Sequence, residues 1–254
     1  MAYIEDEILS GKSPDVIIHE LERKGEKPFS TVTLYRYIDS GLIFPHISNG
    51  NLLEKPRRKP RKKQGQRRAA RPPCGQSIEH RPIHISKREE FGHWEMDCVL
   101  GKAKGSNQTL LVLTEQKTRM ELIFKLPSRT SRAVVRVLNQ LEREYDFPNI
   151  FKSITVDNGS EFSDARGMQF SRSGKQRTTI YYCHPYASCE RGSNERMNRM
   201  IRRFFPKGQS LAHVTNKDCK RVENWLNNYP RKVLGYKTPN ELFQAELRKF
   251  TKCS

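Results

Sequence analysis

The sequence is short of the features that would place it in several broad classes. Its six cysteines, Cys74, Cys98, Cys183, Cys189, Cys219 and Cys253, form no Cys-x-x-Cys pair. That pattern argues against a disulfide framework and for reduced, intracellular thiols. No apolar run approaches the ~18 residues that a membrane-spanning helix needs. The start, MAYIEDEILSGKS, has no basic-then-apolar leader. A soluble, cytoplasmic protein with no membrane partner is the expectation. No heptad pattern announces a coiled coil. Hydrophobic residues reach only 35%, low for a single compact body of 254 residues, so part of the length should be linker or docking surface. Acid is scarce relative to base. Against 47 Lys and Arg stand 28 Asp and Glu, a net charge of +19, and so large an excess points to a polyanionic partner, most simply nucleic acid.

The basic charge is unevenly spread. From Lys55 to Arg71 ten of seventeen residues are Lys or Arg, Pro56 and Pro60 lie among them, and there is no acid. Such a block repels itself and has little to bury, so it reads as a linker that neutralises phosphates. Its Arg57, Arg58, Lys62, Lys63, Arg67 and Arg68 would give salt-sensitive, sequence-independent affinity by counterion release. Residues 51–79 are accordingly assigned to a basic linker, with a small helical unit before it (1–50) and a folded domain after it (80–254).

In the first unit, Ser13 can cap a helix whose first position is Pro14, and Gly25 can end it. Ser30 can cap a second helix, TVTLYRYIDS, which Gly41 can stop. Two short helices joined by a tight turn have helix-turn-helix proportions, although an ordinary helical hairpin has them too. In the DNA-binding form the second helix enters the major groove, and Thr31, Thr33 and Arg36 are the side chains placed to reach base edges.

The third segment reads as α/β. HWEMDCVL (93–100) alternates, with Trp94, Met96, Cys98 and Leu100 on one side and Glu95 and Asp97 on the other. Further strands are expected at 108–113, 120–126, 153–156 and 179–183. An amphipathic helix is expected at 131–145, and two more at 216–228 and 239–249. Three hairpin-linked strands, a helical crossover and further strands make a mixed sheet layered with helices.

Three acids stand out in this basic domain. Asp97 lies on the polar side of a strand, Asp157 closes a strand and enters an Asn-Gly turn, and Glu195 sits on a helix with Arg196, Arg199, Arg202 and Arg203. Singly, each has an ordinary reading: a partner for a lysine, a turn residue, a helix-start acid. Jointly, two strand acids and one helix acid are the minimal set for holding two divalent ions during in-line displacement at a phosphodiester. Glu190 competes for the third place, with 32 residues between it and Asp157, against 37 for Glu195. Glu195 is preferred because a helix presents a ligand more rigidly than the loop 185–192. Arg199 and Arg202 follow it at i+4 and i+7, where they can grip phosphate. Cys74, His80 and His84 also invite a zinc reading, but a second cysteine is missing and they read as incidental loop residues.

GHWEMDCVLGK, LLVLTEQKTR, ITVDNGSEF, YYCHPYASCERGSNERMNRMIRRFFPKG and LNNYPRKVLGYKTPNELF, in this order over about residues 80–245, resemble the DDE insertion-sequence transposases of the IS-thirty family. The resemblance implies an RNase H-like catalytic core preceded by a helix-turn-helix. It implies two Mg²⁺ ions, with Mn²⁺ able to substitute, held by Asp97, Asp157 and Glu195. Asn194 and Asn198 belong to the same motif and would support the site. The implied activity is metal-dependent cleavage and strand transfer of double-stranded DNA at element ends, by at least a dimer, on the bacterial nucleoid. The sequence departs from the family pattern at Met96-Asp97-Cys98, where Gly-Asp-Thr is usual, at Cys189, where Trp is usual, and in a polar loop enlarged between Ser163 and Arg177. An inactive or truncated copy that binds element ends as a repressor is therefore the alternative, and a nuclease of RNA–DNA hybrids a more distant one.

Overall fold

The structure is a computed structural model that describes residues 2–26, 28–52, 75–101, 108–184 and 192–251, with residues 192–195 and 251 described in backbone only. The linker residues Arg57, Arg58, Lys62, Lys63, Arg67 and Arg68, and likewise Cys74, Cys189 and Glu190, lie outside the described residues. The chain forms two units. One contains the described residues up to Leu52 together with Tyr229–Thr238, and the other contains the described residues from Gly75 to Asn228 and from Pro239 onward.

The first unit is built on three helices, α1 (Ala2–Leu9), α2 (Pro14–Arg23) and α3 (Thr31–Ser40). Ser13 accepts from the Val16 N–H and Ser30 from the Thr33 N–H, so both expected caps are made. Gly41, at φ 65°, closes α3 in the left-handed region that glycine adopts without strain. Ile4 and Ile8 of α1 join Ile17, Leu21, Leu34, Ile38 and Phe44 in one core. Nothing in the sequence reading anticipated α1, nor the excursion Tyr229–Thr238 that packs on α2. Tyr229 Oη accepts from the Ser13 N–H at 3.1 Å, and Tyr236 Oη donates to Asp15 at 2.8 Å. The Tyr236 ring lies against His19 with centroids 3.8 Å apart.

The second unit holds a six-stranded sheet, introduced in chain order as β1 (Gln76–Ser77), β2 (His93–Leu100), β3 (Thr109–Glu115), β4 (Glu121–Leu126), β5 (Ser153–Val156) and β6 (Thr179–Tyr182). The spatial order is β1-β6-β5-β2-β3-β4. β2, β3 and β4 run as an antiparallel meander, while β5 is parallel to β2, and β6 to β5. This is the RNase H-like arrangement. The helices, in order, are α4 (Ile83–Lys87), α5 (Ser131–Glu144), α6 (Phe147–Ile150), α7 (Ala165–Gln169), α8 (Gly192–Phe204), α9 (Asn216–Asn227) and α10 (Pro239–Thr251).

α5 starts where Thr130 accepts from the Ala133 N–H, and it buries Val134, Val137, Leu138 and Leu141 against the sheet. α9 covers the outer edge of β4 with side chains rather than a strand. Asn227 accepts from the Glu121 N–H and donates to its carbonyl, both at 2.8 Å, and Glu223 accepts from the Ile123 N–H at 2.9 Å. An otherwise unpaired edge is thereby satisfied.

Two expectations need correction. Glu95, placed on the polar side of β2, is 1% exposed and so is buried like its neighbours Trp94 and Met96, whereas Leu100 at the strand end is exposed. The polar segment 163–177 is largely exposed but is not all loop. Within it, α7 buries Ala165 and Met168, and Arg177 is buried. The guanidinium of Arg177 donates to the carbonyls of Met168 and Gly167 and to Asn139 and Glu142 on α5, at 2.7–3.0 Å.

Candidate active site

The register of β2 and β5 brings two of the sequence-derived acids together. Trp94 pairs with Ile154 and Glu95 with Thr155, and the same offset of 60 residues sets Asp97 level with Asp157. Asp157 directly follows β5 and Asp97 lies within β2, so both fall toward the carboxyl-terminal side of neighbouring parallel strands, the side on which open α/β sheets form their sites. Strand spacing separates their backbones by only about 5 Å. Asp157 Oδ1 accepts from the Gly159 N–H at 2.9 Å, and Asn158 Nδ2 donates to the Cys183 carbonyl at 2.8 Å, so the turn after β5 is tied to the end of β6.

α8 closes the site from the other side. It packs Met197, Met200 and Ile201 inward, and Asn198 Nδ2 donates to Asp97 Oδ2 at 2.8 Å. Glu195 lies on the same helix three residues before Asn198, about one turn away. The side chains of Glu195 and Asn194 are outside the described residues. Met96 and Cys98, which flank Asp97 in place of the family's usual Gly and Thr, are accommodated by packing: Met96 is fully buried in the core, and Cys98 packs against it. Burial, with Glu161, Asp97 and Asp157 nearby, pushes the Cys98 thiol up, so it stays protonated at neutral pH.

Glu161 is the site-lining residue that the sequence reading missed. It is 2% exposed, and its Oε1 accepts from Arg129 Nη2 at 2.8 Å. Its Oε2 is buried and, among the described residues, has no hydrogen-bond partner. A β-carbon on Gly159 would lie 2.6 Å from Glu161 Oε2 and 2.9 Å from Asp157 Oδ1, so glycine is what lets these two carboxylates occupy one space. The available signal was its place in ITVDNGSEF, an acid four residues after Asp157 in an acid-poor chain. Arg129 is held above its ordinary value: burial works against the charge, and Glu161, followed by Cys98 and Asp157, outweighs it.

The arginines of α8 divide. Arg196 and Arg199 are exposed. Arg202 is half-buried and lowered by burial, partly offset by the charge of Asp97, and its Nη1 donates to the Phe205 carbonyl at 3.5 Å. Arg203 stacks over Trp225, 5.9 Å from the ring centre. In the first unit Arg36 is exposed, with the exposed Val32 one turn before it. Thr31 is half-buried, and the Thr33 hydroxyl is shared with Ser30 at 2.9 Å, within the cap of α3.

Among known families, the integrase core domain matches residues 87–188. A probable transposase for insertion-like sequence element IS1161 of Streptococcus salivarius is 36% identical over 216 residues, covering 85% of this chain and 58% of the relative. The transposase for insertion sequence element IS4351 of Bacteroides fragilis is 36% identical over 240 residues, covering 92% of this chain and 69% of the relative. Transposase InsI for insertion sequence element IS30C of Escherichia coli (strain K12) is 34% identical over 204 residues, covering 80% and 50%. The chain thus spans between half and about two thirds of the length of these relatives. Among the described residues no helix is long and apolar enough to cross a membrane.

Proposed function

Because this chain belongs to the IS30 family of insertion-sequence transposases, we propose that it cuts and joins DNA at the ends of an insertion sequence in a reaction dependent on divalent metal. The observation that carries this reading is the juxtaposition of Asp97, within β2, and Asp157, just after β5, with α8 bonded to Asp97 through Asn198. Asp97, Asp157 and Glu195 are the residues proposed to hold metal. Their donors are carboxylate oxygens, which fit Mg²⁺ or Mn²⁺ better than a softer ion. Two such ions, when bound, would activate the attacking oxygen and neutralise the leaving one.

The chain's own part is positioning. Asn198 fixes one oxygen of Asp97, and the Asx turn at Asp157 fixes the carboxylate that closes β5. The attacking group is water for cleavage and the freed 3′-hydroxyl for joining. The first unit, with Arg36, Thr31 and Thr33 on α3, is assigned to recognition of the element end. The linker arginines and lysines and Arg199, with Arg202 beside the acids, are assigned to backbone phosphates. Two ends must be held at once, so the acting species is at least a dimer on double-stranded DNA, in the compartment that holds the chromosome.

The test uses the purified full chain with Mg²⁺ and duplexes carrying the ends of its own element. Nicking and end joining are expected. Asp157→Asn should remove both while leaving end binding in a mobility-shift assay unchanged. A wild-type chain that binds the ends but neither nicks nor joins them would overturn the reading.

A further inference from the structure

Away from the paired aspartates, the start of β2 carries a second group of metal-ligating side chains. His84 of α4, Glu90 and His93 bring one ligand atom each to within 4.8 Å of one another. His84 Nε2 lies 3.0 Å from Glu90 Oε2, and His93 Nε2 lies 3.3 Å from the same oxygen. A tetrahedral ion with bonds of 2.0–2.2 Å sets neighbouring ligand atoms about 3.4 Å apart. The two measured separations are close to that edge length.

The surroundings are arranged as they are around bound metal. His93 is 5% exposed, and its buried Nε2 faces Glu90 Oε2. Its other nitrogen, Nδ1, is 2.7 Å from Ser153 Oγ, a contact of the kind that orients a ligating imidazole. Glu90 Oε1 is taken by Lys152 Nζ at 2.7 Å, which leaves Oε2 turned to the two histidines. Gly92, at φ 100°, makes the left-handed turn that brings Glu90 back beside His93. His84 is 58% exposed in its side chain, so water can reach a fourth position.

We propose that His84, Glu90 and His93 form a zinc site that fastens α4 to the first residue of β2. Two imidazoles and one carboxylate select Zn²⁺ over the hard, all-oxygen preference of Mg²⁺. Asp97 is four residues further along β2, about 13 Å at the rise of a strand, so the two kinds of metal occupy separate places. The site does not depend on the strand chemistry proposed above, and loss of that activity leaves it untouched.

The test is calorimetric titration of ZnCl₂ into the chelator-treated full chain, with Mg²⁺ in excess to fill carboxylate sites. One zinc per chain is expected, together with a rise in Tm on zinc addition. His84→Ala, an exposed position whose loss should leave the circular dichroism spectrum unchanged, should weaken zinc binding at least about tenfold and abolish the rise in Tm. Glu90→Gln should do the same. Co²⁺ in place of zinc should show the visible absorption of a tetrahedral nitrogen–oxygen set in wild type and lose it in His84→Ala. No stoichiometric zinc binding would overturn the proposal. So would binding of equal affinity in His84→Ala, which would place the zinc on other residues.

Discussion

The ion pair between Arg129 and Glu161 allows a quantitative test of how the site is held together. Glu161 is buried to 2% exposure in its side chain, and Arg129, 2.8 Å away, is 42% exposed. Removing one member of a fully buried pair typically costs ~3–5 kcal/mol, because the other is left as an uncompensated charge. Here water already reaches Arg129, and that screening reduces the expected cost of Arg129→Ala to about 2–3 kcal/mol. For a unit of this size that is a fall in Tm of about 4–12 °C. Glu161→Gln removes the buried charge and leaves Arg129 able to turn to solvent, so it should cost under about 1 kcal/mol. The double variant should resemble Glu161→Gln, giving a coupling of about 2 kcal/mol. Urea unfolding followed by tryptophan fluorescence is the assay. Both tryptophans, Trp94 and Trp225, lie in the second unit, so the signal reports that unit alone. Should Arg129→Ala unfold within about 0.5 kcal/mol of wild type, or the double variant be no more stable than Arg129→Ala, the buried charge is not what Arg129 balances.

Asn198→Ala removes the donor that orients Asp97 Oδ2; steady-state nicking should show activity down ~10–100-fold at fixed Mg²⁺, with end binding intact and partial recovery at high Mg²⁺. For Glu246, burial opposes ionisation, but Lys249 at 2.8 Å and Lys117 at 2.9 Å outweigh it and hold the carboxyl below 4.5. Its stabilising contribution is therefore complete above about pH 4.5 and lost as pH falls through the lowered value. Acid titration of Tm should accordingly be shallower below pH 4.5 in Glu246→Gln than in wild type, and parallel curves would remove Glu246 from the acid limb.

Regular elements were legible where burial follows a simple period. β2 and β5 fall on the expected residues, and α5 ends one residue short of its expected Tyr145. What could not be read depends on contacts distant in sequence. The segment 163–177 looks like surface because it is polar, yet its Arg177 is buried by acceptors on α5 and by two carbonyls of its own segment. A buried guanidinium has no local signature, since its partners Asn139 and Glu142 are more than thirty residues away. The same holds for Tyr229–Thr238. Its tyrosines read as part of a C-terminal motif, but their hydroxyls bond to Ser13 and Asp15 at the other end of the chain.

At the site, Asp97 and Asp157 were legible because an acid in or closing a strand is costly in so basic a domain and invites a reason. Glu161 was not, because an acid beside a turn is ordinary until topology buries it. Its presence changes the electrostatics of the site. Asp97, Asp157 and Glu161 would repel one another in the absence of metal, which by itself would make the folded core strongly dependent on ions. Arg129 bonds Glu161, and Arg202, half-buried, feels the charge of Asp97. Two of the cations near the acids thus already offset part of that repulsion within the protein. The arginines of α8 are consequently not equivalent. Arg202 lies close enough to Asp97 to feel its charge, whereas Arg196 and Arg199 are exposed. The register of β2 and β5 already sets the two strand acids side by side, so the metal proposed for them would add to an arrangement that the fold has made.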